Sequence, residues 1–211
     1  MIAPLFAGLL LAATSPSGCP RTPMRVTVEP HPLLPDGVRP THARVQVVVD
    51  VGSDGRVRRA ALSESSGDPA VDRAAVTAAQ SEQFDAPSFS CITFSTAETQ
   101  TFTLPSDLLA TPAPNAPLPS ATPGPVPVCD APFVTPAGLS PAPHVPRGTV
   151  AVDVRLDAAA HVEGARIARS SGNATTDDAA LDAARRSGYE FVPFAGCRPA
   201  ATTYQLEITF R

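Results

Sequence analysis

The sequence contains no lysine, and all sixteen of its basic residues are arginine. Together with its many Ala, Pro and Arg residues, we read this as genomic base composition. The arginines form no basic stripe with interleaved aromatics and the net charge is −4, which argues against a nucleic-acid-binding chain. No C-x-x-C occurs and no His lies close to a Cys, so the pattern offers no zinc site. No G-x-S-x-G surrounds a serine, and there is no His-x-His or H-E-x-x-H. A phosphate loop is missing too, because Gly52-Ser53-Asp54-Gly55 reads as a hairpin turn and not as a strand-to-helix cradle. Serine hydrolase, metallohydrolase and nucleotidase readings each lose the motif they would need.

The sequence does contain a duplication. Ser65-Ser66-Gly67 leads to Asp72 and Ala74-Ala75-Val76, and Ser170-Ser171-Gly172 leads to Asp177 and Ala179-Ala180-Leu181, at an offset of 105 residues. An alternating run precedes each copy at the same offset, starting at Val45 and at Val150. A strand, a turn, a second strand, the tripeptide and a helix recurring in register make two copies of one unit. In a chain of 211 residues each unit has roughly 60 to 70 ordered residues, a size at which a hydrophobic core is marginal.

In the first copy Val45, Val47, Val49 and Val51 share one face and Gln46, Val48 and Asp50 the other, the period of a half-buried strand. Asp54-Gly55 closes a hairpin, and residues 56–64 return with Val57 and Ala61 inward and arginines at the surface. The second hairpin returns over residues 161–169 through Asp157-Ala158-Ala159-Ala160, where the turn glycine is lost, so it should turn less tightly. Gly67 and Gly172 are expected at positive φ, with Asp68 and Asn173 capping helices over residues 69–83 and 174–187 and Pro69 at the first helical position. Val71, Ala75, Ala78 and Ala79 form one apolar stripe, and Ala180, Leu181 and Ala184 the other. Aromatic segments ending in Pro87 and Pro193 follow, then last strands over residues 99–104 and 204–210. The predicted fold class is α+β, two small β-β-α-β units, each an antiparallel sheet packed on one helix.

Residues 1–17 read as a secretory signal, apolar from Ile2 to Ala13 and then small, although no Lys or Arg precedes the apolar run. The first unit then spans residues 18–104, with Arg25-Val26-Thr27-Val28 as a short strand candidate in its Pro-rich arm. Residues 105–128 are a Pro-rich linker, read as a semi-rigid spacer that holds two modules apart. The second unit spans residues 129–211. One cysteine pair falls in each copy, 72 residues apart for Cys19 and Cys91 and 68 apart for Cys129 and Cys197. Four cysteines allow three connectivities, and the duplication favours a staple within each unit. Closing a loop of about 70 residues contributes on the order of 4 kcal/mol in the chain-entropy picture. Free thiols, a metal site and a lipid-modified Cys19 are the competing uses.

The serines of the repeated tripeptide suit turn and helix-start hydrogen bonding, and Asp72 and Asp177 suit the first helical turn, where the macrodipole favours a carboxylate. His31, His42, His144 and His161 stand singly. No catalytic residue, metal site or cofactor is assigned. A secreted enzyme or inhibitor with an unrecognised site is the alternative to a binding module.

The order of hydrophobic hairpin, Ser-Ser-Gly, Asp-x-Ala-Ala-apolar helix, aromatic with Pro and last strand resembles the C-terminal domain of TonB-family energy transducers. The resemblance rests on Asp54-Gly55-Arg56-Val57, Ser65-Ser66-Gly67 and Asp72-Arg73-Ala74-Ala75-Val76, and on Ser170-Ser171-Gly172, Asp177-Asp178-Ala179-Ala180-Leu181 and Phe191-Val192-Pro193. It implies a non-catalytic, exported periplasmic module that binds peptide segments of cell-envelope proteins, a TonB-dependent outer-membrane receptor among them, by adding a strand to its sheet edge. It further implies that Tyr204, Gln205, Leu206, Glu207, Ile208, Thr209 and Phe210 form that edge, with Glu207 an exposed charge. Where a transducer has a membrane helix, one such domain and a charged spacer, this chain has a short leader, two domains and a spacer with neither Lys nor Glu.

Overall fold

The computed structural model describes residues 22–28, 31–89, 92–110, 129, 132–138, 145–192 and 197–211. The expected leader over 1–17, Cys19, Cys91, His144, Pro193 and residues 111–128 of the expected 105–128 linker lie outside the described residues. The first unit runs β1 (Arg25–Val28), β2 (Arg44–Val51), β3 (Val57–Glu64), α1 (Pro69–Gln80), β4 (Gln83–Asp85), β5 (Ser88–Phe89), β6 (Ile92–Phe94) and β7 (Thr96–Thr103), closing on a 3-10 turn at Ser106–Leu108. The second runs β8 (Val134–Gly138), β9 (Gly148–Leu156), β10 (Val162–Arg169), α2 (Ala174–Arg186), β11 (Gly188–Phe191) and β12 (Thr202–Phe210). The expected β-β-α-β order stands in each unit as β2-β3-α1-β7 and β9-β10-α2-β12. The arm strands add two small ribbons, β1 on β4 and β8 on β11.

Alternation builds both cores. Val45, Val47, Val49 and Val51 are fully buried beneath α1 with Val71, Ala75 and Ala79. Val150, Val152, Val154 and Leu156 do the same beneath α2 with Ala179, Ala180, Ala183 and Ala184. The small helix faces let each helix sit close on its sheet. In α2 the buried stripe falls on Ala183 and Thr176, while Leu181 is only half-buried at its margin.

Each helix starts as its sequence dictates. The Asp68 side chain accepts the Ala70 N–H with Pro69 at the first position, and Asn173 accepts the Thr176 N–H. Gly67 and Gly172 take φ of 84° and 87°. Each Ser-Ser-Gly is a clasp on the helical aspartate. Ser65 Oγ donates to Asp72 Oδ2 at 2.6 Å, while the Ser66 N–H and Oγ donate to Oδ1 at 2.8 and 2.7 Å. Ser170 and Ser171 repeat the clasp on Asp177 at 2.5, 2.8 and 2.8 Å.

One expectation about the turns is corrected. The second hairpin is as tight as the first, because Ala160 takes φ of 65° where Gly55 takes 82°. Both turns make the same two backbone bonds, Gly52 N–H to Arg56 and Gly55 N–H to Gly52, matched by Asp157 to His161 and Ala160 to Asp157. The Asp157 carboxylate offsets the strain of a left-handed alanine by accepting the Ala159 and His161 N–H groups, each at 2.8 Å.

A second correction concerns how the units sit. They are not held apart, because consecutive strands of the first unit enter different sheets. The chain of β6 and β7 is nearly continuous, yet β6 joins the second unit's sheet, of order β10-β9-β12-β6-β5, while β7 joins the first unit's sheet, of order β3-β2-β7. Ser95 is the crossing point. The Cys129–Cys197 disulfide pins the start of the second unit to the approach of β12, with Cα atoms 5.1 Å apart.

Candidate functional site

The surfaces that bear on function are strand edges and the seam between units. Strand β12 is an inner strand. It pairs with β9 over all nine residues from Thr202 to Phe210, and its far side pairs Ile208 with Phe94, Thr209 with Thr93 and Phe210 with Ile92. The Ser95 N–H donates to the Glu207 carbonyl at 2.9 Å and extends that cover by one residue. The open edge expected over Tyr204–Phe210 is therefore closed from Glu207 to Phe210, because the first unit supplies a strand there.

Glu207 itself is corrected from exposed to buried, at 6% exposure. Its carboxylate accepts from Ser53 Oγ at 2.5 Å and Arg58 Nη2 at 2.6 Å in the first unit, and from Arg169 Nη2 at 2.7 Å in its own. Burial alone would raise its pKa, but the hydrogen bonds from Ser53 and Arg58 and the charges of Arg58 and Arg169 outweigh it and hold the carboxyl below the usual range. Ser53 also meets Thr209 Oγ1 at 2.9 Å, and Thr209 meets Thr149 at 2.9 Å. The return-strand arginines are thus not plain surface charges. Arg58 holds Glu207. Arg59 pairs with Asp50 at 2.7 Å, lies 3.9 Å over the Phe133 ring and donates to the Pro132 carbonyl. Burial pushes the Asp50 carboxyl up despite Arg59.

The apolar part of the seam is small. Val48, on the strand face expected to be polar, is fully buried against Ala97 and Phe133. Beyond Ser95 the strands diverge, leaving a cleft of about 400 Å³ lined by Asp50, Arg58, Ser95, Thr96, Thr203 and Gln205, among others. Backbone alternation turns the N–H and C=O of Thr203 and Gln205 toward this cleft, as it turns those of Glu207 and Thr209 toward β6.

The first unit's last strand, β7, pairs with β2 along its whole length. Leu104 N–H points to Ala43 on the β2 side, so alternation turns the groups of Thr99, Thr101 and Thr103 outward. No strand among the described residues pairs with that side. The sequence reading missed Ile92, Ser95 and Val48. The signal for Val48 was there, a valine in the polar register of an otherwise alternating strand.

Among the described residues no three His, Cys, Asp or Glu side chains gather as a metal site, and no helix is long and apolar enough to cross a membrane. The family model for the Gram-negative bacterial TonB protein C-terminal matches the chain twice, over residues 39–96 and 146–211. No curated protein and no solved structure matches it.

Proposed function

The chain belongs to the family of Gram-negative bacterial TonB protein C-terminal domains in two copies, and we propose that it is an exported, non-catalytic protein-binding module of the cell envelope that takes up extended partner segments by strand addition. One observation carries this reading: an extended segment, β6, already adds antiparallel to the outer side of β12. A sheet edge of this unit therefore accepts a strand within the chain itself.

The edge left for a partner is that of β7, where Thr99, Thr101 and Thr103 present main-chain donors and acceptors. The outer edge of β12 would accept a partner over Tyr204–Phe210 only once β6 withdrew. The partner is a periplasmic segment of an envelope protein, a TonB-dependent outer-membrane receptor in the reading we favour, and the role is in transport across that membrane. Residues 1–17 serve as the export leader.

The test is a titration of the full chain with extended peptides from receptor periplasmic segments, followed by amide shifts. Shifts should concentrate at Thr99, Thr101 and Thr103. Thr101→Pro should remove them, because it deletes an outward donor and leaves the bonds to β2 in place. Pro at Leu206 is not an equivalent probe, since that donor faces β9 and its loss would break the core ladder. No shift along β7 at millimolar peptide would defeat the reading.

A further inference from the structure

Where the chain crosses from one sheet to the other, Ser95 is gripped through every polar group it has. Its N–H donates to the Glu207 carbonyl and its Oγ accepts the Glu207 N–H, both at 2.9 Å. The Tyr204 hydroxyl donates to the Ser95 carbonyl at 3.0 Å, which leaves the Ser95 hydroxyl proton for Tyr204 Oη at 3.1 Å. Each donor meets one acceptor and none is left over. Only a hydroxyl on a short stem serves both roles of the Ser95 side chain. Ahead of it, Ile92 is fully buried in the second unit's core and Phe94 packs half-buried against it, while Thr93 sits opposite Thr209.

The first copy has no such grip. The strand registers match Tyr204 with Glu98, since they face Val154 and Val49, and Glu207 with Thr101, since they face Ala151 and Gln46. The tyrosine that closes the bracket is therefore a feature of the second copy alone.

We propose that the outer edge of β12 is a sequence-selective docking site for extended segments that carry an apolar residue, an aromatic two positions later and a serine directly after it, and that its resident ligand is the chain's own residues 92–95. The side chains set this selectivity: a deep notch takes Ile92, an apolar shelf takes Phe94, and the tyrosine reads the serine. Burial pushes the Tyr204 phenol well up, so it remains a donor throughout the physiological range. The site deepens the strand-addition reading by showing what one edge selects. Its test uses only the chain's own sequence, so failure here would leave the receptor-peptide titration to judge that reading separately.

The experiment uses the full chain carrying Thr93→Pro, which removes the β6 donor facing Thr209, and a fluorescent peptide of the sequence of residues 88–97 with Cys91→Ser. The variant should bind the peptide one to one. The unaltered chain, its slot filled, should bind at least about tenfold more weakly, and a peptide with Ser95→Ala should lose at least about tenfold on the variant. A folded variant that ignores the peptide, or that binds the serine and alanine peptides equally, overturns the proposal. Should the variant fail to fold, amide exchange in the unaltered chain decides. The Ser95 and Glu207 amides should exchange as slowly as those of Leu206 and Ile208, which face β9, and exchange as fast as at Thr99 and Thr101 overturns it.

Discussion

The two units differ least where each helix starts and most where each last strand ends. The clasp and the hairpin recur residue for residue at an offset of 105, down to a left-handed alanine standing in for glycine, and each helix is capped from the same position. The last strands diverge. In the second unit β12 is flanked on both sides, whereas in the first the chain is divided at Ser95 between two sheets. Local rules, each satisfied within a dozen residues, have been kept in both copies. The edges have parted, since one copy's edge can be covered by the other once they share a chain. Covering one edge also removes a free row of donors and acceptors that would otherwise invite unwanted pairing.

Paired substitutions break this comparison at matched positions. Val48 and Asp153 are equivalent, yet Val48 is buried by the seam and Asp153 pairs with the exposed Arg166. Val48→Asp should cost at least about 3 kcal/mol in urea unfolding, as an unpaired buried carboxylate does, whereas Asp153→Val should stay within about 1. Glu207→Ala comes next. It strands Ser53 and the two arginines and should cost about 2 kcal/mol, less than a fully buried pair because Arg58 and Arg169 reach solvent, while the matched Thr101→Ala should stay within about 0.5.

The third contrast is one of pH. The Ser170 hydroxyl, then the Ser171 N–H and hydroxyl, hold the Asp177 carboxyl below its ordinary value of 3.8. A folded pKa below the unfolded one means that its contribution is complete above that value and is lost as pH falls through the folded one. Asp177→Asn should therefore lower stability at neutral pH and flatten the acid limb of the stability curve below about pH 4; an unchanged acid limb would count against the clasp. The smallest effect is expected at the turn. In Ala160→Gly, relief of the left-handed backbone is offset by lost methyl burial and added unfolded-state freedom, so the unfolding free energy from urea titration should change by less than about 0.5 kcal/mol.

The β-β-α-β order was legible in the sequence because each part has a local cause. Val45 to Val51 alternate, Asp54-Gly55 turns, Asp68 and Asn173 cap, and proline follows the aromatics. The clasp on Asp72 and Asp177 was legible for the same reason, its partners lying six and seven residues away. Nothing local announces that Ile92 leaves its own unit, because a short apolar-polar-apolar run looks the same whichever sheet it joins. Glu207 misled for a related reason. A carboxylate in an alternating strand reads as solvent-facing unless the opposing arginine, 149 positions earlier, is known to meet it. The turn at Ala160 was hidden by the rule that positive φ calls for glycine, which a well-placed aspartate relaxed.

Two consecutive strands that enter different sheets are also a mechanical element. Traction that draws the units apart must either slide Ile92–Phe94 along Ile208–Phe210, a ladder of three pairs, or strip Thr96–Thr103 from β2, a ladder of eight. With ladder strength growing with the number of pairs, the shorter one yields first. Under tension the first unit would part whole and the second would be left with a bare flank, so Ser95 marks where the molecule tears.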